Sequence, residues 1–172
     1  SLATINMLVF SGAAGAKRIY NVIDQPIKIN HDKALPDLKT SEGNIKFFNV
    51  SFKYENSNEK AINDINLDIK GGSMAAFVGH SGAGKSTIIN LLPRFYDPQN
   101  GEIHIDEQNI ISVNLNSLRK SISLVSQDVI LFDSSVRENI LYANKDATEK
   151  EFFDSCKFAA AEEFIQDLPE KY

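Results

Sequence analysis

The segment Gly79–Ser86, which reads GHSGAGKS, constrains the fold of this 172-residue chain more than any other feature. It matches the pattern G-x-x-x-x-G-K-[ST] at every defined position. The apolar run Met74–Val78 precedes it and suits a short buried strand, while Ser86–Leu92 begins a helical pattern that Pro93 and Pro98 would stop. The motif therefore stands between a predicted strand and a predicted helix, as a phosphate-binding loop requires.

The residues of this loop have separate physical roles in phosphate binding. Glycines let the backbone turn so that several N–H groups point into one concavity. The helix beginning near Lys85 adds the positive end of its dipole, and the Lys85 ammonium supplies a full charge for the outer phosphates. Ser86 offers a hydroxyl to Mg²⁺, a hard ion that prefers oxygen ligands. A glycine-rich turn without a ligand is the alternative that the motif and its position argue against.

His80 lies within the loop at a position where the motif accepts any residue. It could touch phosphate, or it could be an exposed bystander. Both alternatives for His80 stay open. The predicted nucleotide-binding residues are Gly79, His80, Ser81, Gly82, Ala83, Gly84, Lys85, Ser86 and Thr87.

Length and composition narrow the class of protein. The chain fits one globular domain with residues left for an appendage, and its 42% hydrophobic and 24% charged content is that of a folded domain. A net charge of −5 argues against a nucleic-acid partner, because phosphate contact usually needs a basic face. The single cysteine, Cys156, excludes an internal disulfide and a cysteine cluster for zinc. No run reaches the roughly 18 apolar residues of a clear membrane span.

Periodicity divides the chain into an N-terminal helix from Leu2 to about Asp24, a linker over 25–42 that contains two prolines, and a compact domain from Gly43. Strands are predicted over Ile45–Tyr54, with an irregularity near Phe48, and over Ile65–Ile69, Ile103–Ile105 and Ile122–Val125. Helices are predicted over Leu118–Lys120 and Val136–Tyr142. A last helix is predicted to begin after Thr148 with a capping box to Glu151 and to bury Phe152, Cys156, Ala159, Ala160 and Phe164.

Three further segments carry a family resemblance: RFYDPQNGEIHID at Arg94–Asp106, SLVSQDVILFD at Ser123–Asp133 and SSVRENILYA at Ser134–Ala143. With the phosphate loop, they resemble the nucleotide-binding domain of an ABC transporter, of the exporter type that fuses a membrane domain to its ATPase. The resemblance implies an α/β fold: a P-loop NTPase-type core with an antiparallel β subdomain, incomplete at the C-terminus and preceded by an N-terminal helix. Residues 1–24 are then the end of a transmembrane-domain helix, 25–42 a linker, and 43–172 the N-terminal part of the ATP-binding domain.

The resemblance also implies ligands and roles. ATP and Mg²⁺ are the expected cofactors, and Tyr54 stands where the family has an aromatic ring that stacks on adenine. Gln127 matches a glutamine that reaches Mg²⁺ and the attacking water, so it joins Lys85 as a catalytic residue and Ser86 as a metal ligand. A strand-end core tyrosine and a loop glutamine are the alternatives. Segment Phe132–Asn139 matches the part that meets the membrane domain, unless Arg137 and Glu138 simply form a solvated pair.

The expected partners are the membrane domain and a second nucleotide-binding domain, and the expected location is the cytoplasmic face of the cell membrane. Glu107 stands where the family usually has glycine, which we expect to alter only a turn. The 172 residues contain no LSGGQ-like signature, Walker B strand, catalytic Glu or switch His. We therefore expect ATP binding as part of an exporter that couples hydrolysis to transport. The alternatives are a non-catalytic ATP-binding remnant of a truncated or split gene, and a small-molecule P-loop kinase.

Overall fold

A computed structural model describes residues 2–29, 32–126 and 128–172, with only the backbone for residues 2–6 and 8. Contacts divide the chain into two compact units, Ser1–Ser123 and Leu124–Tyr172. The described helices are α1 (Leu2–Ile23), α2 (Lys85–Leu91), α3 (Leu115–Lys120), α4 (Val136–Leu141), α5 (Glu149–Phe158) and α6 (Glu162–Gln166). The strands are β1 (Ile45–Phe52), β2 (Ile62–Ile69), β3 (Asn100–Ile105) and β4 (Gln108–Asn109), followed by a 3-10 turn at Ile110–Ser112.

The first unit is built on a four-stranded sheet with the order β2-β1-β3-β4, and every pair in it is antiparallel. Phe47 on the central strand β1 lies opposite Leu67 on β2 and Ile103 on β3. Phe47 belongs to the hydrophobic core that packs on one face of the sheet, and it is 1% exposed. The antiparallel β subdomain expected from the sequence is therefore present.

One face of this sheet and helices α2 and α3 share a single hydrophobic core. Its helical members are Ile88 and Leu91 on α2 and Leu115 and Leu118 on α3. The remaining buried apolar residues of the cluster are Leu38, Phe47, Val50, Phe52, Ile62, Ile103, Ile105, Ile110 and Val113. Burial of this apolar surface holds α2, and with it the end of the phosphate loop, against the sheet.

The irregularity predicted near Phe48 is confirmed as a bulge in β1. The pairing register shifts on both edges of the strand, and Asn49 adopts a left-handed conformation with φ 49°. Gly101 on β3 lies against the bulge with φ 81°. A Cβ atom at Gly101 would lie 2.3 Å from the Phe48 carbonyl oxygen, so the bulge and this glycine require each other.

The end of the predicted linker is tied to the sheet by one carboxylate. Asp106, directly after β3, accepts the backbone N–H groups of four consecutive residues, Ser41, Glu42, Gly43 and Asn44, at 2.7–3.2 Å. These hydrogen bonds stabilise the charged form and hold the pKa of Asp106 well below its usual range.

The predicted buried strand Met74–Val78 is wrong for this structure, because the segment is not in a sheet. Met74 is 99% exposed and Val78 is 90% exposed, although Phe77 packs against the core. A strand needs hydrogen-bonded neighbours, and no backbone hydrogen bond joins 74–78 to another part of the described chain. The predicted strand Ile122–Val125 is also absent, because its one backbone hydrogen bond among the described residues runs from Ile122 back to Arg119 in the last turn of α3 and not to a neighbouring strand.

In the second unit, α4 and α5 form where the sequence predicts helices. Both begin with a capping box: Ser135 with Glu138, and Thr148 with Glu151. Glu138 therefore serves the helix end and is not merely a solvated partner of Arg137.

The predicted length of the last helix is wrong. It ends at Phe158, and Ala160 takes a left-handed conformation with φ 51° before α6 begins. This break changes which side chains face inward. Phe152 and Cys156 are buried as predicted, but Ala159, Ala160 and Phe164 are exposed and Ile165 is buried instead.

Helix α1 matches the predicted N-terminal helix within one residue. Its described apolar side chains are open to solvent, with Phe10 73% and Val22 71% exposed. None of the described helices is long and apolar enough to cross a membrane. The structure therefore shows the helix itself, and its relation to a membrane domain stays a prediction.

We predict that Gly101→Ala destabilises the first unit through backbone overlap at the bulge. Gly72→Ala is the matched control, because Gly72 also has a left-handed φ of 70° but has open space at its Cβ position. Gly72→Ala should lower the free energy of unfolding by about 1–2 kcal/mol, and Gly101→Ala should lower it by about 2 kcal/mol more than that. Urea unfolding measures the stability of both variants. Equal losses of stability would contradict the predicted overlap between a Cβ atom at Gly101 and the bulge.

We predict that Asp106→Asn lowers the free energy of unfolding near pH 7. Because the folded-state pKa is lowered, this stabilisation is present above the unfolded pKa of about 3.9 and is lost as pH falls toward the folded pKa. The difference between wild type and variant should therefore shrink below about pH 4. Denaturant titrations across this range test it, with Asp37→Asn, at an exposed carboxylate of the same unit, as the control. A difference in unfolding free energy that does not change with pH would show that the charge of the Asp106 carboxylate is not the source of the stabilisation.

Candidate phosphate-binding site

The loop Gly79–Gly84 leads directly into α2, and Lys85 is the first residue of that helix. The Lys85 ammonium donates hydrogen bonds to the carbonyl oxygens of Gly79, at 2.9 Å, and His80, at 2.7 Å. The loop therefore curls around its own lysine. The His80 side chain is exposed and only its carbonyl oxygen makes this contact, so the described contacts fit the bystander alternative.

Most backbone donors of this loop have no acceptor within the described chain. The Ala83 N–H donates to the His80 carbonyl oxygen at 3.3 Å. Within the described chain, the N–H groups of Gly82, Gly84, Lys85 and Ser86 have no protein acceptor. Unpaired donors at the start of a helix, beside one ammonium group, form a site for an anion with several oxygen atoms. The donor set thus fits a polyphosphate.

Gly84 fixes the distance between the loop and the sheet. It has φ 83°, and a Cβ atom there would lie 2.4 Å from the carbonyl oxygen of Ala61, next to the start of β2. Glycine is therefore required both for the conformation and for the close approach. Ser86, two residues on, is exposed with its hydroxyl unpaired among the described residues, so that oxygen is free to bind a metal ion.

Tyr54 lies beside this helix. Its hydroxyl is 3.1 Å from the Thr87 hydroxyl on α2, and its ring makes edge-to-face contacts with Phe52, at 4.8 Å, and Tyr96, at 5.2 Å. Tyr54 is half-buried, whereas Thr87 is 5% exposed. Tyr54 and Gly79, the first residue of the phosphate loop, are 25 residues apart in the sequence. The structure thus brings Tyr54 and the loop to the same helix, α2.

A cavity of about 380 Å³ also opens beside Tyr54. Its other lining residues are Lys28, Ile29, Phe52, Lys53, Glu55, Asn56, Phe95, Tyr96, Asp97 and Gln99. None of them belongs to the loop 79–87. The unpaired amide donors therefore do not line this cavity.

The remaining predicted site residue, Gln127, lies outside the described residues. Segment Phe132–Asn139 belongs to the second unit, where the Asn139 side chain binds the backbone of Phe132 at both its N–H and its carbonyl oxygen. Arg137 lies over the Phe152 ring at 4.6 Å and pairs with Glu149. Arg137 therefore stabilises its own unit and is not merely a solvated residue.

Sequence reasoning missed a buried arginine in the RFYDP segment. Arg94 is 1% exposed, and its guanidinium makes two hydrogen bonds to the Asp97 carboxylate, at 2.8 and 3.0 Å. Arg119 donates to the carbonyl oxygens of Pro93 and Arg94, both at 2.9 Å. The Arg-x-x-Asp spacing was the available signal, because a pair at i, i+3 can close a turn after a helix. These contacts hold the C-terminal end of α2.

Comparisons with known proteins found similar sequences and a similar fold. The family model described as "ABC transporter" matches residues 62–171. ABC transporter B family member 2 of Dictyostelium discoideum is 43% identical over 99% of the chain, and an ATP-dependent lipid A-core flippase of Syntrophus aciditrophicus is 42% identical over 99%. A putative multidrug export ATP-binding/permease protein of Staphylococcus aureus is 43% identical over 90%.

A solved structure of a bacterial Atm1-family ABC exporter with ATP bound superposes with a TM-score of 0.85 at 36% sequence identity. It covers 95% of this chain, and the chain covers 28% of it. The chain likewise spans 12%, 28% and 27% of the three curated relatives. The matched family model and these relatives together show that the chain belongs to the ABC transporter family and corresponds to the ATP-binding portion of its exporters.

Proposed function

We propose that this chain binds MgATP through the loop 79–87, as the nucleotide-binding part of an exporter that couples ATP hydrolysis to transport across a membrane. The observation that carries the proposal is the set of unpaired amide donors around Lys85 at the start of α2. An anion with several oxygen atoms satisfies these donors, and the positive end of the helix adds to the attraction. Domains of this family bind ATP, generally with Mg²⁺.

The proposed roles follow from the chemistry of each group. Lys85 exchanges its two carbonyl partners for phosphate oxygens and neutralises their charge. Ser86 supplies a hydroxyl ligand to Mg²⁺, and Gln127 is proposed as a further ligand that also positions water. The bound metal ion would lower the charge of the phosphates that the loop holds. The backbone of Gly79, His80, Ser81, Gly82, Ala83, Gly84 and Thr87 completes the proposed cradle.

Tyr54 is proposed to stack on adenine. Its ring packs against Phe52 and Tyr96, and the side chain is only half-buried, so part of it stays accessible. Stacking on an aromatic face is worth roughly 1–3 kcal/mol per base. The contact with Thr87 places this ring beside the helix that carries the phosphate loop.

The proposed partners are a membrane domain and a second nucleotide-binding domain. The relatives are named as a flippase, an exporter and an ATP-binding/permease protein. By that likeness, residues 1–24 are proposed as the end of a membrane-domain helix, 25–42 as a linker and 43–172 as part of the ATPase domain. The proposed location of this domain is the cytoplasmic face of the membrane. Phe132–Asn139 is proposed to meet the membrane domain.

A second function, ATP binding without hydrolysis, is supported for these 172 residues by themselves. They contain no LSGGQ-like signature and no catalytic glutamate after a Walker B strand. Phosphoryl transfer in P-loop enzymes needs a group that orients the water and a clamp that closes around the outer phosphate. Binding and turnover can therefore be tested separately.

We predict that Lys85→Ala weakens ATP binding roughly 100-fold or more, because two charge-assisted contacts to phosphate are lost. Isothermal titration with MgATP measures the change. Lys120→Ala, at an exposed lysine on α3 of the same unit, is the control and should bind as wild type does. Thermal unfolding of each variant without ligand separates a binding defect from a folding defect. Equal ATP affinity in the Lys85→Ala and wild-type chains would overturn the proposed phosphate site.

We predict that the 172-residue chain binds MgATP without turning it over. A ligand at 100 times its dissociation constant should stabilise the fold by roughly 2.7 kcal/mol, which appears as a thermal shift. Phosphate release should stay at background, and addition of a polypeptide carrying the signature and Walker B segments should raise it. Turnover by the chain alone, abolished in Lys85→Ala, would show a catalytic base within these residues.

A further inference from the structure

The second half of the predicted linker is docked on the rest of its unit, and we call residues 36–43 the strap. Its first part lies at the start of α3, where the Asn114 N–H donates to the Pro36 carbonyl oxygen at 2.8 Å. The Leu38 N–H donates to the Ser117 hydroxyl oxygen on α3, also at 2.8 Å. The Leu38 side chain is 8% exposed and belongs to the core. This end of the strap is therefore held by polar contacts and by burial.

Two side chains at the end of the sheet hold the rest of the strap. Gln108 on β4 accepts from the Lys39 N–H at 3.0 Å and donates to the Lys39 carbonyl oxygen at 2.6 Å. Asp106 accepts the N–H groups of residues 41–43 at 2.7–3.2 Å. The strap is thus joined to the sheet by side chains and not by strand pairing.

The chain before the strap is attached much less firmly. Lys28 pairs with Glu55 at 2.5 Å, but both side chains are exposed, and exposed ion pairs contribute little stability. Ile29 is half-buried against the core. Within the described chain, no hydrogen bond joins α1 to the sheet. The strap is therefore the main described attachment of this part of the chain.

The contacts of the strap depend on one another. Within the described chain, no hydrogen bond joins two residues of the strap, so its conformation is set by its partners outside. These contacts are only one to three residues apart along the chain. Each contact keeps its neighbours close to their partners, which favours joint formation and joint loss.

We propose that the strap is a releasable latch, which opens as one unit while the sheet stays folded and which sets the length of free chain between α1 and the sheet. With the strap docked, 12 residues separate the end of α1 at Ile23 from Pro36. Release adds the eight residues of the strap, which span at most about 26 Å when extended. The role of this latch in an exporter rests on the proposed function, whereas its opening can be measured whether or not the chain binds ATP.

Amide hydrogen exchange of the 172-residue chain, followed by NMR at urea concentrations below the unfolding transition, measures the opening. The reporters are the N–H groups of Leu38, Lys39, Ser41, Glu42 and Gly43. They should share one free energy of opening. Their exchange should depend less on urea than that of the β1 amides, because release of the strap exposes less surface than global unfolding does.

Two variants test whether the contacts act together. Asp106→Asn changes contacts of residues 41–44, yet it should raise exchange at all five reporters, roughly 10- to 100-fold, because charge-assisted hydrogen bonds are lost. Gln108→Ala removes two neutral contacts of Lys39 and should also raise exchange at all five, roughly 10-fold. This variant keeps the test open if Asp106→Asn does not fold. Asp37→Asn, at an exposed carboxylate of the strap itself, is the control and should exchange as the wild type does.

Three results would overturn the latch. Strap amides with the free energy of opening and urea dependence of the β1 amides would show a permanent part of the core. Strap amides that exchange at the rate of an unstructured chain would show that the strap is not docked. A rise confined to the residues whose contacts each variant removes would show that the contacts act independently. The proposed function fails on a separate result, the absence of MgATP binding by the wild-type chain in a calorimetric titration.

Discussion

The pairing of β1 with strands on both of its edges is the constraint on which the first unit depends. Strand β2 on one edge leads back to Ala61, whose carbonyl oxygen touches Gly84 of the phosphate loop. Strand β3 on the other edge ends at Ile105, and the next residue, Asp106, binds the end of the linker. The end of β1 itself leads to Tyr54. One central strand therefore sets the positions of the loop, the linker and the aromatic ring.

Around the loop, the balance of donors and acceptors explains why an anion fits. The Lys85 ammonium donates to two carbonyl oxygens of its own loop, which solvate its positive charge without neutralising it. The amides at the start of α2 have no such partner within the described chain. A polyphosphate would supply acceptors to the amides and to the lysine together, and its contacts with them would be charge-assisted.

The second unit shows how short helices are stabilised from their ends. Helices α4 and α5 are six and ten residues long, and isolated helices of that length are marginal in water. A capping box at the start of each satisfies backbone donors that have no partner within the helix. Arg137 adds an ion pair with Glu149 and a contact with the Phe152 ring. The side chains of Val129 and Ile130 are exposed, so they do not pack in the interior of this unit.

Much of the fold was predictable from local patterns. The phosphate motif located the loop and α2, alternation located β1 and β2, and Thr148 with Glu151 located the start of α5. The break after Phe158 was not predictable, because apolar residues continue at helical spacing through Ala159 and Ala160 and no glycine or proline interrupts them. Arg94 was missed because its burial depends on packing that its sequence neighbours do not reveal.

The sequence by itself determined what depends on neighbours within a few residues: the caps, the turn glycines, and the identity and order of the phosphate loop's groups. Only the tertiary structure decided what depends on distant partners. Met74–Val78 has the composition of a strand but is not one here, because a strand forms only where another segment accepts its hydrogen bonds. Tyr54 and Thr87 meet because the core packs α2 against the sheet, a proximity that residue spacing along the chain cannot encode.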